Sequence, residues 1–213
     1  MTILALEFSA AERSVALARD GQVLAEARET GARATNAFTL IEQVLAAAGV
    51  TRAEIETMAV GLGPGSYTGI RVAVSVAQGW QLARPVRLAG VDAVAALTTQ
   101  AQAAGIFGRV NLVIDAQRGE FYLATWDISA TERREVVPLK LVPAAELPNR
   151  PGEIFLGPDA GRAGGIVMYP AAATVARIAH GRPADASEAL EPVYLRESAF
   201  VKWQPVNVIS PPV

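Results

Sequence analysis

One segment constrains the fold more than any other. The apolar stretch Thr57–Leu62 runs into Gly63-Pro64-Gly65-Ser66, and a second apolar stretch of helical period, Thr68–Ala83, follows at once. A buried strand that turns into a helix within four residues, with another apolar strand at Val86–Val91 beyond it, implies a parallel strand–helix–strand crossover. Pro85 stops the helix. The chain is therefore α/β.

The remaining pattern extends this unit in both directions. Ile3–Phe8 reads as a strand carrying Glu7 at its C-terminal end. Ser14–Ala18 and Gln22–Arg28 read as a hairpin about Asp20-Gly21, where a type I′ turn needs positive φ. Thr35–Ala48 reads as a helix with Thr35 as N-cap and Gly49 just past its end. Thr51–Glu56 reads as a short helical turn, and Asp92 caps a helix running to Ala103. Gly105–Gly108 marks a joint, which divides the chain into residues 1–104 and 105–213. Beyond it, strands are expected at Arg109–Ile114, Glu120–Asp127, Glu135–Val142 and Ile154–Gly157, and a helix at Ala171–His180. From Glu191 onward the chain reads as irregular, with a frayed end at 210–213. Each half opens with an apolar strand ending in a carboxylate, Glu7 and Asp115, a weak internal repeat. The second lobe is the smaller and more irregular of the two.

Composition removes whole classes of chemistry. With no cysteine and one histidine, His180, thiolate catalysis, Cys-ligated zinc and multi-histidine metal sites are excluded, and no metal is expected. A net charge of -2 gives no bulk attraction to nucleic acid. No apolar run reaches the roughly 18 residues of a membrane-spanning helix, and the start lacks the basic region of a signal peptide. A cytoplasmic location with no membrane association is the expectation.

Three features are candidates for function. Gly61–Arg71 presents a glycine-rich turn and a helix N-terminus at one point, which suits a phosphate. The alternative is a tight strand-to-helix turn that simply needs small residues, Gly63, Gly65 and Ser66 among them. The segment lacks the Lys-Ser/Thr ending of a P-loop and the glycine spacing of a dinucleotide fingerprint. Ser66 lacks the Gly-x-Ser-x-Gly setting of a nucleophile. Glu7 with Ser9, and Asp115 in the second half, lie at strand ends, where ligands collect. The alternative is that these acids are solvated or cap turns. His180, beside Gly181, reads as a cation at a helix C-terminus. Finally, the helices 35–48 and 68–83 are apolar on more sides than one core face requires. Either they are sandwiched or they meet a partner, with Phe38, Ile41, Leu45, Ala73, Ala77 and Trp80 as the contact rows.

Taken in order, these segments resemble the TsaB (YeaZ) family of bacterial tRNA threonylcarbamoyladenosine biosynthesis proteins. Gly63-Pro64-Gly65-Ser66-Tyr67-Thr68-Gly69-Ile70-Arg71 is similar to the family's Gly-Pro-Gly-Ser-Phe/Tyr-Thr-Gly-Leu/Ile-Arg, and Leu4–Ser9 to its Leu-Ala-Ile-Asp-Thr-Ser. Asp115–Tyr122 resembles its Asp-Ala-Arg-(x)2-Glu-Val-Tyr, and Pro192–Arg196 its Pro-x-Tyr-Leu-Arg. The resemblance implies an actin-like, ribonuclease H-like (ASKHA) fold with two related lobes, mixed sheets flanked by helices. It implies a non-catalytic partner of the transferase TsaD, with the N-terminal lobe as the partner-binding one. A TsaE-type ATPase supports the complex, and tRNA is met only through it. It further implies a homodimer when isolated and no required cofactor, with ATP or ADP at the partner interface. Glu7, Phe8 and Thr35-Asn36 depart from the family's Asp, Thr and His-Ser, and the metal histidines of TsaD are missing. Two other readings compete with this one: a sugar-kinase-like phosphotransferase on the same fold, which needs phosphate loops in both lobes, and a peptidase, for which no nucleophile–base pair exists.

Overall fold

A computed structural model describes residues 1–31, 36–147, 152–182 and 189–195. Thr35, the Arg196 end of the C-terminal motif and the 210–213 end lie outside these residues. β1 (Thr2–Glu7) pairs antiparallel with β2 (Glu12–Arg19), which returns as β3 (Gln22–Thr30). Asp20 and Gly21 at the turn both take positive φ, 51° and 81°, as the hairpin signal requires. α1 (Ala37–Ala48) ends at Gly49 in the left-handed region and leads to β4 (Thr57–Gly61), parallel to β1. α2 (Tyr67–Ala83) crosses to β5 (Arg87–Val91), and α3 (Ala93–Ala103) starts at Asp92, whose carboxylate accepts the Ala95 N–H at 2.7 Å.

The second half builds the same sheet again. β6 (Gly108–Asp115), β7 (Glu120–Ile128) and β8 (Arg133–Pro143) form an antiparallel meander, and β9 (Ile154–Gly157) and β10 (Ile166–Val167) add in parallel. The strand orders β3-β2-β1-β4-β5 and β8-β7-β6-β9-β10 match element for element. The fold is actin-like, with two related lobes. The sequence did not announce β10, a two-residue strand too short to show periodicity.

The alternation of β1 explains the packing. Leu4, Leu6 and Phe8 face α1 and α2, while Ile3 and Ala5 face α4 (Ala172–His180). α4 follows the second sheet in the chain but covers the first. It lays Ala172, Val175, Ala176 and Ala179 on the small-residue face made by Ala5, Ala16, Ala18, Ala59 and Ala89. α3 follows the first sheet but packs on the second, with Leu97 and Ala101 against Val110, Leu112 and Ala124. The two lobes thus exchange helices.

This packing corrects the expected partner rows. Ile41, Leu45, Ala73 and Ala77 are all buried in the core of their own lobe. On α1, Ala37, Leu40, Ile41, Val44 and Leu45 make one broad stripe, not two faces, because residues at i, i+3, i+4 and i+7 share a side. On α2 the small residues bring the helix close to its own sheet, not to a foreign helix. Phe38 stays 65% exposed and Trp80 half-buried. Arginine at position 73 or 77 would bury an unpaired cation, which costs several kcal/mol against a total stability of about 5–15 kcal/mol. Ala73→Arg and Ala77→Arg should therefore lose the cooperative melting transition by circular dichroism.

Candidate functional site

The two strand-end carboxylates do the same local task. Glu7 Oε1 accepts the Ser9 N–H at 2.7 Å, and Asp115 Oδ1 accepts the Gln117 N–H at 2.7 Å. Each acid caps the turn that follows its own strand, so the turn-capping reading holds for both. Their surroundings differ. Asp115 is partly open, lies 3.4 Å from the Arg162 guanidinium, and donates its own N–H to Asp159 at 2.8 Å. Glu7 is fully buried, and the expectation that it faces a ligand is corrected. Its Oε2 lies over Gly61, where a Cβ would come within 1.8 Å of it. Burial pushes the carboxyl up to about 7, against a downward pull from the neighbouring Ser9 hydroxyl and amide. The Ser9 hydroxyl itself is buried and makes no hydrogen bond of good geometry.

The glycine-rich turn is explained by the same strand end. Ser66 donates its N–H to the Ser9 carbonyl at 2.7 Å, and its Oγ caps α2 by accepting the Gly69 N–H at 3.2 Å. A Cβ at Gly65, where φ is 149°, would lie 2.1 Å from the Ser9 carbonyl, and one at Gly69 would lie 1.9 Å from the Phe8 carbonyl. Two N–H groups that a phosphate would need are thus engaged within the protein. Gly63, with φ 79°, packs under Ile70.

Two concave surfaces flank α2. A cleft of about 750 Å³ between the lobes brings together Ser9, Gly65, Ser66 and Asp115, but neither Glu7 nor Gly63. It also gathers Tyr67, Arg118 and Tyr194, which stand inside the motifs quoted from the sequence, and Arg13 and Asp159, which sequence reasoning passed over. A groove of about 580 Å³ lies between α1 and α2, walled by Phe38, Val76, Gly79, Trp80 and Ala83, with Glu42, Arg52 and Arg84 also lining it. Of these, Phe38 and Trp80 stood in the contact rows expected from the sequence. His180 lies against Gly21 at the C-terminal end of α4, with its Nδ1 buried and unpartnered. Among the described residues, no group of three side chains could hold a metal ion, and no helix is long and apolar enough to cross a membrane.

The tRNA threonylcarbamoyladenosine biosynthesis protein TsaB of Escherichia coli is 30% identical over 96% of this chain and 97% of its own length. The chain belongs to the TsaB family. The Bacillus subtilis protein of the same name is 30% identical over 65% of this chain and 60% of its own. A family model described as TsaD, tRNA N6-adenosine threonylcarbamoyltransferase, matches residues 30–154. Among solved structures, YeaZ from Pseudomonas aeruginosa superposes with a TM-score of 0.74 at 26% identity, covering 91% of this chain and 99% of that one. The family's C-terminal motif has a place in the fold: Val193 donates its N–H to the Leu62 carbonyl at 2.9 Å, and Leu190 is buried against the first lobe.

Glu7 makes a pH-dependent test of this geometry. Its folded value near 7 exceeds the ordinary 4.5, so its contribution is fully present below about pH 4.5 and is lost as pH rises through 7. At about 1.4 kcal/mol per unit, the whole loss is about 3 kcal/mol. Glutamine keeps an acceptor for the Ser9 N–H and cannot ionise. Glu7→Gln should melt higher than the wild type at pH 8, with the advantage fading towards pH 4. Parallel melting profiles would contradict the burial argument.

Proposed function

We propose that this protein acts in tRNA threonylcarbamoyladenosine biosynthesis as a non-catalytic subunit that docks a TsaD-type transferase in the α1–α2 groove. The observation that carries the reading is that groove: an apolar trough with an exposed Phe38 and an open Gly79 beside Trp80. A Cβ at Gly79 would meet nothing within 4 Å, so its small size serves no contact inside the chain. Apolar patches of this kind on a soluble protein mark interfaces. The aromatic pair Phe38 and Trp80 has the character of interface anchors.

Several finer points belong to the same proposal. A TsaE-type ATPase joins the complex, ATP or ADP sits at the partner interface, and tRNA arrives through the assembly. The isolated chain dimerises by the same groove, and the complex works in the cytoplasm. The phosphotransferase alternative is disfavoured by the second lobe. There, the counterpart of the glycine turn, Gly157-Pro158-Asp159, leads into a single 3-10 turn at Ala160–Ala163 instead of a long helix. A short turn offers little dipole to a phosphate.

The test is co-purification with the host TsaD homologue, followed by a tRNA threonylcarbamoylation assay with and without this protein. Gly79→Arg should fold as the wild type by circular dichroism yet lose partner capture by about a hundredfold or more, as blocking the centre of an interface does. Threonylcarbamoylation should fall with it. A folded Gly79→Arg that binds with native affinity places the interface elsewhere. The chain alone should not turn over ATP or peptides; turnover lost in Asp115→Ala would overturn the non-catalytic reading.

A further inference from the structure

The mouth of the inter-lobe cleft carries two large aromatic rings that the fold holds open to solvent. Tyr67 is 54% exposed and Tyr194 is 40% exposed, and their ring centroids lie 5.5 Å apart at 37°. Neither ring hangs on a loose end. Tyr67 opens α2, whose first turn is capped by Ser66. Tyr194 follows Val193, whose N–H is bonded to Leu62, and the segment is anchored by buried Leu190. The Arg71 guanidinium packs on Tyr67 at 3.9 Å from the ring centroid. Across the cleft, Arg118 sits at the tip of the β6–β7 turn in the left-handed region, φ 58°, beside Gln117 at φ 64°.

Like Arg84, Arg133 and Arg177, two arginines at this mouth have no carboxylate partner among the described residues. Among the described residues seven other arginines are ion-paired with carboxylates. Arg71 and Arg118 make no such pair among the described residues, and both are exposed. The two acids of the cleft are engaged: Asp115 with the Gln117 N–H and Arg162, Asp159 with the Asp115 N–H. The mouth therefore offers aromatic rings together with guanidinium groups that no carboxylate neutralises, the combination that grips a polyanion with planar bases.

We infer that the mouth of this cleft is a contact site for single-stranded RNA, with Tyr67 and Tyr194 as the stacking platform and Arg71 and Arg118 as the phosphate contacts. A duplex keeps its bases stacked on one another and offers none to a tyrosine, so unpaired nucleotides are the ligand. The choice of RNA over other polyanions rests on the proposed role in tRNA modification. Here the chain touches the RNA directly and not only through its partner.

The experiment is fluorescence anisotropy of the full chain, without a partner, against a labelled single-stranded oligoribonucleotide of about ten nucleotides, within the span one such platform takes. Tyr67→Ala and Tyr194→Ala should each weaken binding roughly tenfold, as the loss of one stacked base does. Arg71→Ala and Arg118→Ala should each lower the slope of log affinity against log salt by about 0.7. All four positions are exposed, and circular dichroism confirms the fold of each variant. A duplex of the same sequence should bind more weakly. No binding at low salt would overturn the inference, and so would tyrosine variants that bind as the wild type. Displacement of the RNA by polyglutamate, with the tyrosine variants unaffected, would assign the mouth to an acidic polypeptide and overturn it too. Because no partner is present, this result stands apart from partner capture through the groove: either can fail without the other.

Discussion

The end of β1 and the glycine turn before α2 touch backbone to backbone, and the rest of the first lobe depends on that contact. The Ser9 carbonyl accepts the Ser66 N–H at 2.7 Å, while Gly61, Gly65 and Gly69 leave room for Glu7, Ser9 and Phe8 in turn. Any side chain at these three positions would enter the space of a backbone carbonyl or of the Glu7 carboxyl. The contact fixes where α2 starts and, through its length, where it ends. Its first turn then forms one wall of the inter-lobe cleft, and its last turns form one wall of the apolar groove. One hydrogen bond and three missing Cβ atoms thus place both concave surfaces.

The same contact removes chemistry from the strand end. In an open strand end, Glu7 and the turn's N–H groups would be free to meet a ligand. Here the carboxyl is enclosed, and the N–H groups of Ser66 and Gly69 are bonded to Ser9 and to Ser66. In the proposed reading, what remains exposed beside this contact serves recognition: the Tyr67 ring at the cleft mouth and an apolar trough between two helices. In the role proposed for this chain, a first lobe built this way supplies shape and contact area to the complex.

Much of the fold was legible because its signals are local. The Asp20-Gly21 turn, the Asp92 cap, the Gly49 helix end and the matched carboxylate-ending strands each follow from one or two residues and their own backbone. The glycine motif was legible as a turn, but its cause was not, since the contacts that require glycine come from Phe8 and Ser9, more than fifty residues earlier. The helix faces were misread for a related reason. A stripe at 37, 40, 41, 44 and 45 looks like two rows until the width of the covering sheet is known. The exchange of α3 and α4 between lobes is a property of the three-dimensional repeat, and nothing in either helix states which sheet it will cover. Arg13 and Asp159 were passed over as site residues because nothing in their own segments states that the two lobes bring them to one cleft.

The α1–α2 groove, and not the inter-lobe cleft, is the surface proposed to receive the transferase partner. Hydrogen–deuterium exchange of the chain with and without its TsaD homologue tests this directly. Slowed exchange is expected in α1 and in the second half of α2, from Ser75 to Ala83, with the backbone around Ser9, Gln117 and Arg118 unchanged. Protection confined to the cleft residues, with α1 and the end of α2 exchanging as in the free protein, would contradict it.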